Sequence, residues 1–174
     1  MPAHDDGVLK RRRRIVRALR AIVPDEAVIA TESEMKPYET DGLTAYRQLP
    51  LVVVLPESTD QVARVLRYCH ENGIKVVPRG AGTSLSGGAL PLGDGVLLGM
   101  AKFNRIREVD FTNRVAVVEP GVTNLAVTQA VEHEGFYYAP HPSSQIACTI
   151  GGNLAENAGG VHCLKYGVTT NNAP

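Results

Sequence analysis

The feature that most constrains this sequence is a glycine-rich stretch, PRGAGTSLSGG, at residues 78–88. Four of its residues are glycine and three carry hydroxyl groups. It follows Val76 and Val77, a β-branched pair typical of a strand. Glycine permits positive φ and lets another group approach the backbone closely, and consecutive N–H groups in such a turn can converge on an anion. The stretch therefore favours a loop that binds a diphosphate through its main chain.

Two better-known phosphate motifs are excluded here. No Gly-Lys-Ser/Thr closes the stretch as in a Walker loop, and the GxGxxG spacing of a strand-turn-helix nucleotide site is missing. An ordinary glycine-rich connection remains the alternative for this stretch alone. A second glycine-rich segment at residues 140–167 changes the argument, because Gly151-Gly152 and Gly159-Gly160 bracket a short piece with helical character. Two such segments suit one large ligand that is bound at two points.

Four motifs carry a resemblance to a known family. They are PRGAGTSLSGG, EPGV at residues 119–122, TIGGN and AENAGG, in this order. Together they resemble the FAD-binding domain of the vanillyl-alcohol oxidase and p-cresol methylhydroxylase (PCMH) family. The run at residues 142–172 is similar to the FAD-linked subunits of glycolate oxidases, and the resemblance extends from Tyr38 to the end of the chain.

The resemblance implies an α+β fold with two lobes and FAD between them, the PCMH type. We expect an N-terminal helical lead-in at residues 1–50 and the FAD-binding domain at 51–174. Within that domain the first lobe takes residues 51–122 and the second, truncated lobe takes 123–174. Family members continue further and add a substrate-capping domain, so we expect this chain to be an N-terminal fragment that is inactive by itself.

The family's cofactor contacts carry over to residues that match its motifs. In the first loop the implied FAD-binding residues are Arg79, Gly80, Ala81, Gly82, Thr83 and Ser84, chiefly through backbone N–H groups. In the second segment they are Pro142, Ser143, Ser144, Thr149, Gly151, Gly152, Asn157 and Gly159. For Arg79 a structural salt bridge, for example with Glu119, is an equally good reading. For the glycine pairs the alternative is that they only mark the two ends of a helix.

The implied reaction is oxidation of a 2-hydroxy acid, such as glycolate or D-lactate, to the 2-oxo acid. Electrons would leave through partner subunits, one with an iron–sulfur cluster and one with a second flavin domain. A non-catalytic flavin-binding or interaction fragment is the alternative function. No catalytic residue can be named, and which 2-hydroxy acid is used stays open because the substrate pocket lies outside the matched motifs.

Several positions depart from family patterns. Some relatives have a histidine in the first loop that bonds covalently to flavin, whereas Thr83 and Ser84 occupy that region here. We therefore expect non-covalent FAD. The glycolate oxidase pattern usually has aspartate where His141 stands. His162, near the expected cofactor site, is better explained as a neutral structural histidine than as a base.

Composition excludes other classes of protein. The three cysteines show no CxxC spacing, so neither a disulfide framework, a metal site nor an iron–sulfur cluster is indicated. Residues 1–20 hold seven Lys or Arg and two Asp, while the whole chain has a net charge of +0. A nucleic-acid binder is therefore the weakest hypothesis. The start, MPAHDDG, is too polar for a signal peptide, and the longest apolar run, residues 51–55, is too short to span a membrane. We expect a cytoplasmic protein, peripheral to the inner membrane only through partners.

Local patterns predict the elements around these motifs. Residues 8–23 predict one amphipathic helix whose basic face is solvated. Residues 51–55 predict a buried strand, and Ser58 with Gln61 predicts the capped start of a helix with Val62, Val65, Leu66 and Cys69 inside. Residues 75–77 and 95–100 predict further strands, and 105–119 predict a hairpin. Thr123 predicts the start of a helix that ends at Gly135.

Overall fold

The computed structural model describes residues 3–173, and these form two compact units divided between Lys102 and Phe103. The first unit contains α1 (Asp6–Lys10), α2 (Arg12–Arg20), β1 (Val28–Ile29), α3 (Glu32–Met35), β2 (Val52–Val54), α4 (Thr59–Glu71), β3 (Lys75–Arg79) and β4 (Gly95–Gly99). The second contains β5 (Ile106–Asp110), β6 (Val115–Val118), α5 (Asn124–Val131), α6 (Ile150–Glu156) and α7 (Cys163–Tyr166). Short 3₁₀ turns lie at Asp25–Ala27, Lys36–Tyr38, Glu132–Glu134 and Thr169–Asn171. Both units mix helices and strands, as the α+β prediction requires.

A four-stranded sheet forms the centre of the first unit, in the order β1-β2-β4-β3. β4 pairs in parallel with β2 and with β3, and the short β1 is antiparallel to β2. The predicted strand at 51–55 and the predicted central strand at 95–100 are confirmed. β2 and β4 are buried on both faces. Alternate residues of β2 pack into two clusters. Val52 and Val54 pack beneath the helices, and Val53 packs against Met35, next to the 3₁₀ turn at Lys36–Tyr38.

The helix between β2 and β3 starts and stops where the sequence predicts. The Ser58 hydroxyl accepts the Gln61 N–H at 3.3 Å, and the Gln61 side chain reaches back to the Glu57 N–H at 2.7 Å. Gly73, with φ at +64°, ends the helix in the left-handed conformation. The inner face was predicted less well, because Leu66 is 44% exposed. α4 packs through Val65, Cys69 and the half-buried Tyr68, and Leu66 lies at the outer edge of that stripe.

The single N-terminal helix predicted for residues 8–23 is wrong in one respect. It breaks at Arg11 into α1 and α2. The guanidinium of Arg11 donates to the Asn72 carbonyl at 3.2 Å, and that of Arg12 donates to the Leu51 carbonyl at 2.9 Å. These two arginines satisfy carbonyls of the fold, so they do not belong to the solvated basic face, which keeps Lys10, Arg13, Arg14, Arg17 and Arg20 exposed.

The second unit begins with the predicted hairpin, since β5 and β6 pair antiparallel with a bulge between Ile106 and Glu108. The Thr123 hydroxyl accepts the Ala126 N–H and starts α5, and Gly135 has φ at +78° after it. The hairpin and α5 enclose an apolar groove of about 230 Å³. The expected lobe boundary at residue 122 stays a prediction; in the structure the hairpin is part of the second unit.

Candidate functional site

The glycine-rich loop leaves the carboxyl end of β3 with its backbone donors free. Within residues 3–173, the N–H groups of residues 80–85 find no protein acceptor. The loop is half-buried to exposed along this run. Six consecutive unpaired donors at the carboxyl end of a parallel strand are what an anion-binding turn offers. The predicted donors Gly80, Ala81, Gly82, Thr83 and Ser84 all lie in this run.

Arg79, the last residue of β3, is buried and lies beneath the loop. Its Nη1 donates to the carbonyls of Thr40 at 2.7 Å and Ala89 at 3.0 Å, with a longer contact to Tyr38 at 3.4 Å. Burial lowers the pKa of the guanidinium below its ordinary value, although an arginine stays charged over any working pH. Arg79 therefore ties the loop to the lead-in segment and places a positive charge under it.

Glu119, the alternative partner considered for Arg79, is bound elsewhere. Arg105 Nη2 and Arg107 Nη2 lie 3.0 and 2.8 Å from Glu119 Oε1. Hydrogen bonds from these two guanidiniums lower the pKa of Glu119 to about 2, and the larger effect comes from Arg105. The ion pair considered between Arg79 and Glu119 is thus replaced by contacts of each residue inside its own unit.

Gly82 is required by the protein's own packing. It adopts φ of +74°, and a Cβ atom there would overlap the guanidinium of Arg79. Gly87, in the same loop, also has positive φ (+82°), but a Cβ there would meet nothing within 4 Å. The two glycines therefore differ, because only Gly82 is fixed both by conformation and by contact.

The Pro142-Ser143-Ser144 part of the second segment forms a turn, in which the Gln145 N–H donates to the Pro142 carbonyl at 3.0 Å. The backbone N–H groups of Ser143 and Ser144 find no protein acceptor within the described residues. These two donors are the counterpart of the free N–H groups in the first loop. Their contact with a cofactor stays a prediction.

The glycine pair at 151–152 lies inside α6, whereas the sequence predicted that it would precede a helix. Thr149 starts this helix, and its hydroxyl accepts the Gly152 N–H at 3.4 Å. The Gly151 N–H donates to the Pro120 carbonyl at 2.8 Å, and a Cβ at Gly151 would lie 2.6 Å from the Pro120 Cβ. Both glycine N–H groups are therefore engaged within the unit. The close approach of the backbone to Pro120 accounts for Gly151.

Asn157 and Gly159 also have internal partners. Asn157 ends α6 with φ at +52°, and its Oδ1 accepts from the N–H and the hydroxyl of Thr170 at 3.1 and 2.9 Å. A Cβ at Gly159 would lie 2.9 Å from atoms of both Cys163 and Val168. Their predicted contacts with FAD are untested, and these packing roles stand beside them.

Sequence reasoning missed a buried amide pair in the second unit. Asn124 and Asn153 are 1% and 3% exposed, and Asn153 Nδ2 donates to Asn124 Oδ1 at 3.1 Å. Asn124 Nδ2 in turn donates to the Pro140 carbonyl at 3.0 Å. The pair fixes the chain just before the Pro142-Ser143-Ser144 turn. Asn153 belongs to the TIGGN motif, the one sequence signal that could have indicated it.

His141 and His162 lie together, with ring centroids 5.2 Å apart. His162 Nδ1 is buried without a hydrogen-bond partner among the described residues. Nearby, hydrogen bonds from Tyr137 and then Lys165 lower the pKa of Tyr166. Within residues 3–173, no group of three or more His, Cys, Asp or Glu could hold a metal ion. In the same range no helix is long and apolar enough to cross a membrane.

The chain is similar to known proteins both in sequence and in fold. The chain is 58% identical over 158 residues to the glycolate oxidase subunit GlcD of Escherichia coli K12, covering 91% of this chain and 32% of that protein. It is 36% identical over 156 residues to D-lactate dehydrogenase of Anaerostipes hadrus, covering 89% of this chain and 32% of that one. The solved structure of p-cresol methylhydroxylase with substrate bound matches 90% of this chain and 31% of its own length, with a TM-score of 0.73 at 22% identity.

The chain thus spans about a third of the length of these curated relatives. The structural match establishes the fold predicted from the motifs, the PCMH-type FAD-binding fold. The family model described as "FAD binding domain" matches residues 50–173, which is most of the chain. The chain therefore belongs to the FAD-binding domain family.

Proposed function

We propose that this chain is the FAD-binding portion of a flavin-dependent oxidoreductase that oxidises a 2-hydroxy acid to the 2-oxo acid. The observation that carries this proposal is the 58% identity to the E. coli glycolate oxidase subunit across 91% of the chain. The D-lactate dehydrogenase relative supports the same substrate class, an acid with a hydroxyl on the α-carbon. Glycolate and D-lactate are the first two substrates to test.

In this proposal the first loop holds the diphosphate of FAD. The N–H groups of residues 80–84 donate to the phosphate oxygens, and the hydroxyls of Thr83 and Ser84 add two donors. Hydrogen bonds to a charged acceptor contribute roughly 1.5–3 kcal/mol each. Arg79 lies below the loop with Nη1 committed to carbonyls, so it contributes its charge and the shape of the loop. The free donors and the buried cation fit a dianionic group.

The second segment contributes the remaining contacts. Pro142, Ser143 and Ser144 line the flavin side, where the free N–H groups of the two serines can donate. Thr149, Gly151 and Gly152 approach the ribityl and diphosphate parts with their backbone, and Asn157 and Gly159 close the adenine end. Gly151 and Gly152 both donate within the unit, and Gly151 also packs against Pro120. A close approach of the cofactor to the backbone is therefore assigned to Gly152.

FAD, when bound, would supply the hydride acceptor for oxidation at the α-carbon of the 2-hydroxy acid, and the hydroxyl proton would pass to a base. No residue of this chain is assigned as that base. The chain's residues bind and orient the cofactor. The cofactor is bound non-covalently, because Thr83 and Ser84 stand where some relatives have the histidine that bonds to flavin. The E. coli relative is a subunit of glycolate oxidase. We therefore also propose partner subunits that carry the electrons away, one with an iron–sulfur cluster and one with a second flavin domain.

Cofactor binding is tested by titrating the ¹⁵N-labelled chain with FAD and following the amide resonances. We expect the largest changes at residues 80–85 and at Ser143 and Ser144. Acid precipitation should then release all the flavin into the supernatant, since no covalent link forms. Resonances that change elsewhere but not in the first loop would contradict the assigned diphosphate site.

The reaction is tested with a chimera in which this chain replaces the matching segment of the E. coli subunit. We expect the chimera to retain FAD and to reduce a dye in the presence of glycolate or D-lactate. A folded chimera without flavin would overturn the proposal. A flavin-containing chimera that oxidises neither acid would keep the cofactor assignment and reject the substrate class.

A further inference from the structure

Three consecutive residues between β1 and β2 hold three separate points of the glycine-rich loop. Thr40 binds Arg79, Asp41 binds Gly87 and Gly42 binds Ser84. We propose that this clasp, residues 40–42, is part of the cofactor site, and that Asp41 is the positioning residue that sets the affinity of the loop for a diphosphate. The inference rests on the proposed role of the loop and adds to it a residue outside the matched domain.

Asp41 is the centre of the clasp. Its carboxylate is buried, with the residue only 6% exposed. Oδ1 accepts the Leu43 N–H at 3.1 Å, and Oδ2 accepts the Gly87 N–H at 3.1 Å across 46 residues of sequence. Both oxygens are therefore used, one to shape the clasp and one to fix the far end of the loop.

Gly42 brings the two backbones into direct contact. Its N–H donates to the Ser84 carbonyl at 2.9 Å. A Cβ at this position would lie only 2.6 Å from the Thr83 carbonyl oxygen. Glycine is needed here because the clasp runs against the main chain of the loop without space for a side chain.

Thr40 fixes the near end of the loop through Arg79. Its carbonyl accepts Nη1 at 2.7 Å, which is the shortest of the three carbonyl contacts of that guanidinium. The clasp thus holds the loop at its start, its middle and its end. The Ser84 carbonyl and the Gly87 N–H are committed to the clasp, while the N–H groups of residues 80–85 remain free.

This arrangement has a consequence for binding. A glycine-rich loop without restraint has many conformations, and binding an anion would require the loss of that freedom. A loop already held in the binding conformation avoids most of this cost, which is the basis of preorganisation. Loss of the Asp41 contacts should therefore weaken diphosphate binding more than it weakens the fold.

The test compares Asp41→Asn and Asp41→Ala with Asp94→Asn in the 174-residue chain. Asp94 is a matched control, since it is a buried carboxylate of the same unit that binds Lys75 at 2.7 Å, at the opposite end of β3 from the loop. Amide hydrogen exchange of Gly42 and Gly87, whose N–H groups bond between the clasp and the loop, and thermal unfolding are measured without ligand. Affinity for FAD and for ADP, as a diphosphate probe without flavin, is measured by titration.

We expect Asp41→Asn to lower the affinity for both FAD and ADP by about tenfold. Asp41→Ala should lower it further, because asparagine keeps one acceptor oxygen and alanine keeps none. Exchange at Gly42 and Gly87 should become faster in both variants and stay unchanged in Asp94→Asn. Equal affinities for the wild type and both Asp41 variants would overturn the inference while leaving the proposed function intact. Unchanged exchange at Gly42 and Gly87 would overturn it as well, whether or not the chain binds flavin. Binding of neither ligand by the wild type would reject the diphosphate site itself and the affinity claim with it.

Discussion

The two glycine-rich segments differ in where their hydrogen bonds go. In the first unit the backbone donors of residues 80–85 are free, and charged side chains, Arg79 and Asp41, hold the loop from outside. In the second unit most donors between residues 149 and 158 bind within the unit, and neutral amides, Asn124 and Asn153, hold the chain. The first segment therefore has the free donors and the outside restraint that the proposed anion site needs. In the second, glycine serves mainly to let protein backbones pack together.

The largest effect should come from Gly160 in the second segment. It has φ of +99°, and a Cβ would overlap the carbonyl of His141. Gly160→Ala should lower the free energy of unfolding of the second unit by at least about 2–3 kcal/mol, from backbone strain and a contact that backbone atoms cannot relieve. Gly152→Ala is the control, since a Cβ there meets only the Thr149 hydroxyl at 3.3 Å within a helix. Denaturant-dependent hydrogen exchange measures both, and equal stability of the two variants would contradict the packing role.

A smaller loss of stability but a clear loss of binding should follow from Gly82→Ala. The new methyl group displaces the Arg79 guanidinium from beneath the loop, so we expect FAD affinity to fall by about tenfold or more. Gly87→Ala is matched to it in positive φ but has open space around the Cβ. It should show the strain alone, with stability reduced by about 1 kcal/mol and the Arg79 contacts kept. If both variants bind FAD alike, Arg79 does not shape the loop.

These contrasts also show what could be read from the sequence. The helix starts at Ser58 and Thr123 and the left-handed glycines 73 and 135 were predictable because each signal is local. The central position of β4 followed from its apolar run. The roles of Asp41 and Asn124 could not be predicted, because their partners lie 46 and 29 residues away and nothing local marks those contacts. The break at Arg11 was missed for the same reason, since its guanidinium binds a carbonyl 61 residues away.

The acid stability of the second unit should depend on Glu119. Hydrogen bonds from Arg105 and Arg107 lower its pKa from 4.5 to about 2. A carboxylate with a depressed pKa in the folded state stabilises that state above its unfolded pKa, and this contribution is lost as the pH falls from about 4.5 to about 2. The Glu119→Gln variant should show a flatter pH dependence in that window, measured by urea unfolding at each pH. An unchanged slope would exclude Glu119 as its source.

The smallest effect is expected at the hydroxyls of the first loop, and it decides whether side chains or backbone bind the anion. Thr83 and Ser84 are half-buried beside free N–H groups of the same loop. If the backbone supplies most of the binding, Thr83→Val and Ser84→Ala should each weaken FAD binding by only about threefold, well below the roughly 1.5–3 kcal/mol of a full hydrogen bond to a charged acceptor. Ser86→Ala, which removes an exposed hydroxyl farther along the loop, is the control and should leave affinity unchanged. Titration of each variant with FAD gives the comparison. A loss of a hundredfold from either hydroxyl would mean that the loop recognises the diphosphate through its side chains, and the free N–H groups would then be a secondary feature of the site.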